Sequence, residues 1–442
     1  MMIRRLAFLL PLLALLGAAP AGAVTVERVT SPNGIEAWLV QDHTNPIIAV
    51  EAAFRGGAAT DPAGKAGLAN MVSALLDEGA GPHDSQAFQG KLEDLAIGLS
   101  FDAGRDTFRG HLKTLTENRD TAFELFRLAL TEPRFDKEPV ERIRSQIQTI
   151  LKRELQNPNT VAIREWNRVV FAGHPYASPV NGTPETVAKL TVADLKGWTR
   201  KHLARDALVI GVVGDITPEA LGPLLDKTFG ALPAKAAKVE VPYTTPKAPG
   251  RTIVIPRDNP QSVAMFGEGG IKRDDPDWYA AYVMNYILGG GGFSSRLTEE
   301  VREKRGLAYS VYSYLMPLDH AAVVMGGVAT QNARLAESLN IIKDEWRRMR
   351  EEGPTPQELD DAKTYLTGSF PLQLDSTVAI AGLLVAMQLD DLGIDYLDKR
   401  NGYMEAVSLK DVNRVAKRLL DPARLTTVVV GKPDGVQASE AR

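Results

Sequence analysis

Apolar and polar positions along this chain follow two rhythms, one of period two and one of period 3.6, which predict strands and helices respectively. Ile97–Leu115 holds alternating runs around a Gly-Arg-Asp turn and predicts a hairpin. Thr116–Leu130 and Lys137–Leu155 carry helical spacing. Ala207–Gly214 (ALVIGVVG) is a short β-branched run that ends in glycine, and predicts a buried strand. The same succession then returns. Asn45-Pro46 recurs as Asn259-Pro260, and Thr116-Glu-Asn118 as Thr330-Gln-Asn332, each 214 residues on. Pro139-Val-Glu141 recurs as Pro356-Gln-Glu358, and the helix-starting Thr191-Val-Ala-Asp194 as Ser408-Leu-Lys-Asp411, each 217 residues on. Leu425–Gly431 (LTTVVVG) answers Ala207–Gly214. In the second copy, Gln331–Glu352 and Pro356–Leu366 are the predicted long helices.

Ordered anchors at nearly one offset imply an internal duplication. Strands and helices mix without strict βαβ alternation, so the fold class is α+β, built as two homologous domains. Leu232–Gly250 (LPAKAAKVEVPYTTPKAPG) has four prolines and no apolar period, and reads as the join. The expected division is a segment at 1–23, an N-terminal domain at 24–235, a linker at 236–250 and a C-terminal domain at 251–442.

The N-terminus departs from both rhythms. Arg4 and Arg5 precede the apolar run Leu6–Leu16, and Ala21-Gly22-Ala23 offers a small-x-small cleavage site. That is the pattern of a secretory signal peptide, and the run is shorter than the ~20 residues a membrane span needs. A periplasmic location is the expectation. With no cysteine among its 442 residues, the chain excludes disulfides, thiolate metal sites and cysteine nucleophiles. The formal net charge of −4 gives no pull toward nucleic acid. The six histidines lie at least 28 residues apart, so no two can share a helical face as zinc ligands.

Residues 67–79 read Gly-Leu-Ala-Asn-Met-Val-Ser-Ala-Leu-Leu-Asp-Glu-Gly. This resembles the pitrilysin/insulinase-type zinc proteases, which include the mitochondrial processing peptidases, with the frame G-x-A-H-x-x-E-H-x-x-x-x-G. Gly67, Ala69 and Gly79 fit, but Asn70 and Ala74 stand where the resemblance places the zinc histidines, and Ser73 stands at the catalytic glutamate. The third ligand would be a Glu on Arg142–Pro158, where Gln146, Gln148 and Ile150 occupy the region and only Glu154 is acidic. No metal is therefore expected in this chain. The resemblance extends through Phe171-Ala-Gly-His-Pro-Tyr176 and Asn181-Gly-Thr-Pro-Glu185 to Leu288-Gly-Gly-Gly-Gly-Phe-Ser-Ser-Arg-Leu297 and Val301-Arg-Glu-Lys-Arg-Gly-Leu-Ala-Tyr309. It implies that Gly289, Gly290, Gly291 and Gly292 form a substrate-binding loop. It also implies that Arg302 and Tyr309, seven residues apart, are the arginine–tyrosine pair that reaches a substrate carbonyl beside zinc held elsewhere.

The expectation is a catalytically incomplete, clamp-shaped subunit of a heteromeric zinc metalloendopeptidase. It supplies substrate-binding and transition-state-stabilising residues to a homologous zinc-bearing partner, and takes unfolded or extended peptides. The alternative is a non-catalytic structural or assembly subunit, resembling core proteins of respiratory complexes.

Overall fold

The computed structural model describes residues 24–441, so the expected signal segment at 1–23 lies outside the described residues. Two six-stranded sheets carry the fold. The first takes β1 (Glu27–Thr30), β2 (Glu36–Gln41), β3 (Ile47–Arg55), β4 (Gly98–Ala103), β5 (Thr107–Leu115) and β6 (Leu208–Gly214) in the order β1-β2-β6-β3-β5-β4. The second takes β7 (Thr252–Ile255), β8 (Gln261–Gly269), β9 (Ala308–Leu318), β10 (Ala321–Gln331), β11 (Thr426–Val430) and β12 (Glu440–Ala441) in the order β12-β7-β11-β8-β10-β9.

The two orders are one topology written twice. β6 pairs parallel with β2 and antiparallel with β3, as β11 does with β7 and β8. Each sheet ends in a long hairpin, β4–β5 or β9–β10, whose first strand is the edge. The glycine-ended strands β6 and β11 hold the third place from the opposite edge in both sheets. The predicted caps are present: Thr191 and Ser408 each close a capping box with the aspartate three residues on.

Each sheet buries one face under its own helices. In the first half Val50, Ala52 and Phe54 of β3 meet Phe123, Phe126 and Phe229. In the second, Ala264 and Phe266 of β8 meet Met284, Ile342 and Trp346. The opposite faces are covered by helices exchanged between the halves. Helix Pro158–Val170 of the first half lies on the second sheet, where Trp166 packs among Val263, Met265 and Val428 and its indole N–H donates to the Thr426 carbonyl at 3.1 Å. Helix Thr377–Leu389 of the second half lies on the first sheet, with Ala381, Leu384 and Met387 against Trp38, Val40, Ala49 and Val213. Arg55 donates to the last carbonyls of that helix, Leu389 at 2.9 Å and Gln388 at 3.1 Å, where a cation suits the helix dipole.

The stretch between the sheets has no helix or strand from 232 to 251, yet it is strapped down. His174 Nε2 donates to the Pro242 carbonyl at 2.8 Å, and the N–H groups of Thr244 and Lys247 donate to His320 and Val170. The Gly-His-Pro-Tyr turn is thus a structural clasp for the join. Among the described residues, no helix is long and apolar enough to cross a membrane.

Candidate functional site

The motif region of the first half forms helix Leu68–Ser73, opened by Asp61, whose carboxylate accepts the N–H groups of Gly67, Leu68 and Ala69 at 3.0 Å each. Asn70 lies within this helix, one turn before Ser73, its last residue, and Ala74, its C-cap. Their chemistry is spent locally. Ser73 is buried and its hydroxyl donates to the Asn70 carbonyl at 2.9 Å, while Ala74 packs on the core and offers no donor atom. Just beyond, Glu78 is bound by Arg142 of helix Lys137–Glu154 and by the Ser85 hydroxyl. Burial alone would raise the Glu78 carboxyl, but Arg142 and Ser85 outweigh it and hold it below the usual range. Glu154 is also committed, to Arg164 at 2.5 Å and to the Asn181 amide at 3.0 Å. Among the described residues, no group of three or more His, Cys, Asp or Glu could hold a metal. A zinc ion of the kind the resemblance implies does not fit these residues. Asn70 and Ala74 bring no imidazole, and the helix that would offer the third ligand instead presents the Arg142 guanidinium to the motif.

The second half differs. Helix Trp278–Asn285 passes into a π-helical turn, Tyr286–Gly290, and a short 3₁₀ turn, Gly292–Ser294. The wide turn lets the chain lie directly on β9: a Cβ at Gly289 would stand 2.5 Å from the Ser313 hydroxyl and 2.7 Å from its backbone nitrogen. Close packing inside the chain therefore accounts for Gly289. Gly290 and Gly292 are exposed, and these are the positions where the run meets solvent. The next segment is pinned by Arg296, which is nearly buried and forms a bidentate pair with Glu358 at 2.6 and 2.7 Å. Burial pushes the Glu358 carboxyl up, but hydrogen bonds from Arg296 and the Thr355 N–H, with the Arg296 charge, bring it down to about 2.

The charge pattern of Ser294–Arg305, with acids and bases at i, i+4, reads as a helix, and the structure places a π-helical turn there, Thr298–Glu303. Gly306 closes it at φ +58°, and its carbonyl is held by Arg334 at 2.9 Å. Sequence alternation puts Leu307, Tyr309 and Val311 on one face, and the structure corrects this. Ala308 pairs with Thr330 and Ser310 with Ala329, leaving Tyr309 as the extra residue of a β-bulge. The bulge turns Tyr309 outward, 83% exposed, while Leu307 and Val311 stay in the core. Arg302 then lies between two exposed rings, its guanidinium carbon 4.9 Å from the Tyr309 ring centre and 4.6 Å from that of Phe293, itself 68% exposed. The Arg302 Nε faces Glu303 at 3.3 Å. Neither the terminal nitrogens of Arg302 nor the Tyr309 hydroxyl finds a hydrogen-bond partner among the described residues. The site therefore presents a phenol O–H and guanidinium N–H groups side by side on the surface, beside the glycine turn. Both are donors, a set suited to carbonyl oxygens or an oxyanion. Phe293, third member of the stack, is adjacent to the glycine run in sequence, but only the geometry reveals its contact with Arg302.

Residues 189–366 match the family described as "Peptidase M16 inactive domain". Over 393 residues the chain is 29% identical to a Helicobacter pylori protein called a non-peptidase homolog, covering 88% of this chain and 90% of that one. It is 27% identical over 432 residues to a Streptomyces coelicolor protein called an uncharacterized zinc protease, covering 95% of this chain and 92% of that one. Among solved structures it resembles a peptidase M16 inactive domain from Pseudomonas fluorescens with a TM-score of 0.86 and 29% identity, over 95% of this chain and all of that one. These likenesses support the pitrilysin-type resemblance, on the inactive side of the family.

Proposed function

We propose that this chain is the catalytically incomplete subunit of a heteromeric periplasmic zinc metallopeptidase, divided into domains at 24–235 and 251–442 around a linker at 236–250. Zinc and the catalytic base belong to a homologous partner chain. The clamp closed by the two chains admits unfolded or extended peptides. In this reading Tyr309 donates its hydroxyl proton in a hydrogen bond to the oxyanion that forms at the scissile carbonyl, and Arg302 holds a neighbouring carbonyl oxygen. The exposed glycines of the 289–292 turn leave room for the peptide backbone. The observation that carries this reading is the Phe293–Arg302–Tyr309 stack: two exposed aromatic rings, one of them turned out by a bulge, flank an arginine whose terminal N–H groups are free among the described residues.

The test is peptide cleavage by this chain reconstituted with a secreted homologue that has an intact H-x-x-E-H motif, assembly being checked separately by size-exclusion chromatography. Tyr309→Phe removes one hydroxyl. It should leave assembly intact and cut turnover ~10²–10³-fold, the usual cost of a preorganised oxyanion donor. If assembled Tyr309→Phe and Arg302→Ala complexes cleave at the parental rate, the shared site does not exist and the chain is an assembly subunit.

A further inference from the structure

Around the corner from the stack, where the glycine turn meets the far half of β9, lies a cavity of about 370 Å³. Trp278, Tyr282, Tyr286 and Tyr314 contribute its aromatic walls, and its floor is the buried pair Asn285–Ser313, joined by a 2.8 Å hydrogen bond. A Cβ on Gly290 would stand 2.8 Å from the Asn285 amide, so the bare glycine keeps this end open. The charges in the cavity cancel. Arg273 faces Asp390 at 3.7 Å and is itself stacked on Trp278, Tyr279 and Tyr396 at 5.0 to 5.7 Å. A cation would meet the Arg273 guanidinium, which already covers the Trp278 ring, and an anion would meet Asp390. The remaining surface suits an uncharged, apolar group.

The backbone beside the cavity adds a peptide-specific element. β9 is the sheet edge, and Leu318 pairs with Ala321 across a two-residue turn. Alternation from that pair turns the backbone groups of 311, 313, 315 and 317 away from β10. The Val311 carbonyl is already taken by the Thr298 hydroxyl at 3.4 Å and that of Ser313 by Asn285 at 3.3 Å. Pro317 has no N–H to give. Leu315, a lining residue of the cavity, is left with an outward N–H and C=O that have no partner among the described residues. One free donor–acceptor pair beside a neutral aromatic cavity is a one-residue strand-pairing site with a side-chain pocket attached.

We propose that this cavity takes a large apolar side chain, aromatic or branched aliphatic, from an extended peptide whose backbone pairs with Leu315. The inference rests on the peptide-handling function above and specifies where in this chain, and by which side chain, the peptide is recognised.

The experiment uses the full chain without any partner, so it is independent of the shared catalytic site. Fluorescein-labelled decapeptides of Ser, Thr and Gly, one with a central Phe and its twin with Ala, are titrated by fluorescence anisotropy. Burying the ring predicts that the Phe peptide binds about tenfold tighter or better. Leu315→Pro removes the outward N–H, and Tyr282→Ala removes one wall; each should bring the Phe peptide to the level of its Ala twin. Tyr282→Ala decides alone if Leu315→Pro does not fold. Equal binding of the two peptides, or parental binding of the Phe peptide by the folded variants, overturns the proposal. So does binding of N-acetyl-phenylalanine amide as tight as the Phe peptide, since pairing with Leu315 would then contribute nothing. A chain that passes here while Tyr309→Phe leaves cleavage untouched binds peptides but shares no active site, and the reverse outcome is equally distinct.

Discussion

Trp166 offers the sharpest test of the helix exchange. It belongs to the first half in sequence, yet it is fully buried on the second sheet and donates to Thr426 of β11. The contact is tight: a Cβ on Gly267 of β8 would stand 2.8 Å from the indole ring. Trp166→Phe deletes the N–H and leaves the Thr426 carbonyl without that donor, at a cost of about 1–3 kcal/mol. It also leaves a small void where the larger ring lay. Taking about 2 kcal/mol together, and one decade per ~1.4 kcal/mol, exchange of amide hydrogens that open with this unit should quicken about 30-fold. Those amides should include β8 and β11, more than 90 residues away in sequence. Hydrogen exchange read by mass spectrometry measures this peptide by peptide. If helix Pro158–Val170 loses protection while β8 and β11 keep theirs, the helix is a loose cover and the coupling argued here is wrong. A urea transition that splits in two, with only the first-half phase shifted, would refute it equally.

Other predictions use different observables. His111 lies between Asp102, at 2.5 Å, and the buried Glu51, and these two hydrogen bonds push its imidazole up to about 9. A raised histidine stabilises the fold fully below its unfolded value near 6.5 and loses that contribution as pH climbs through 9. Discounted for a side chain about one-third exposed, the difference is about 1 kcal/mol, so melting curves of His111→Gln and the parent should converge between pH 7 and 10. Gly289→Ala should cost about 1–3 kcal/mol in urea titrations, because its Cβ must displace the Ser313 backbone; a neutral effect would show that the turn does not rest on β9. The triple change Asn70→His, Ser73→Glu, Ala74→His should still fail to hold stoichiometric zinc after dialysis, measured by elemental analysis, since Glu154 stays bound to Arg164 and Asn181; one tightly held zinc per chain would contradict that assignment.

Much of the fold was legible because duplication prints the same local rules twice. Each capping box, glycine-ended strand and turn needs only neighbours in sequence, so Thr191 and Ser408, or Gly214 and Gly431, announce themselves. The incomplete zinc motif was equally plain, since Asn70 and Ala74 carry no imidazole and Ser73 no carboxylate, whatever the fold. What stayed hidden depends on distant partners. The register that bulges Tyr309 is set by β10, twenty residues on, and no alternation within 307–315 contains it. The exchange of helices is invisible for the same reason. Pro158–Val170 is an ordinary amphipathic pattern, and nothing local says which sheet its apolar face will meet. The π-helical turns at 286–290 and 298–303 also escape a 3.6-residue reading, because five-residue spacing is forced by packing on β9.

The contrast between the halves bears on function more than either half alone. Where the first half lacks its ligands, the replacements close the gap: Ser73 bonds within its own helix, Ala74 fills core and Arg142 neutralises Glu78. That region now behaves as structure. The corresponding economy is missing in the second half. Phe293 and Tyr309 expose most of their surface, and a cation stacked between exposed rings recovers only about 0.5–1 kcal/mol per contact. Smaller polar residues would serve folding as well at both positions, and a regular strand would spare the bulge. The chain has packed one motif into its structure while holding an Arg–Tyr–Phe stack open to solvent, and an exposed apolar surface that folding does not need is the ground on which the shared site is proposed.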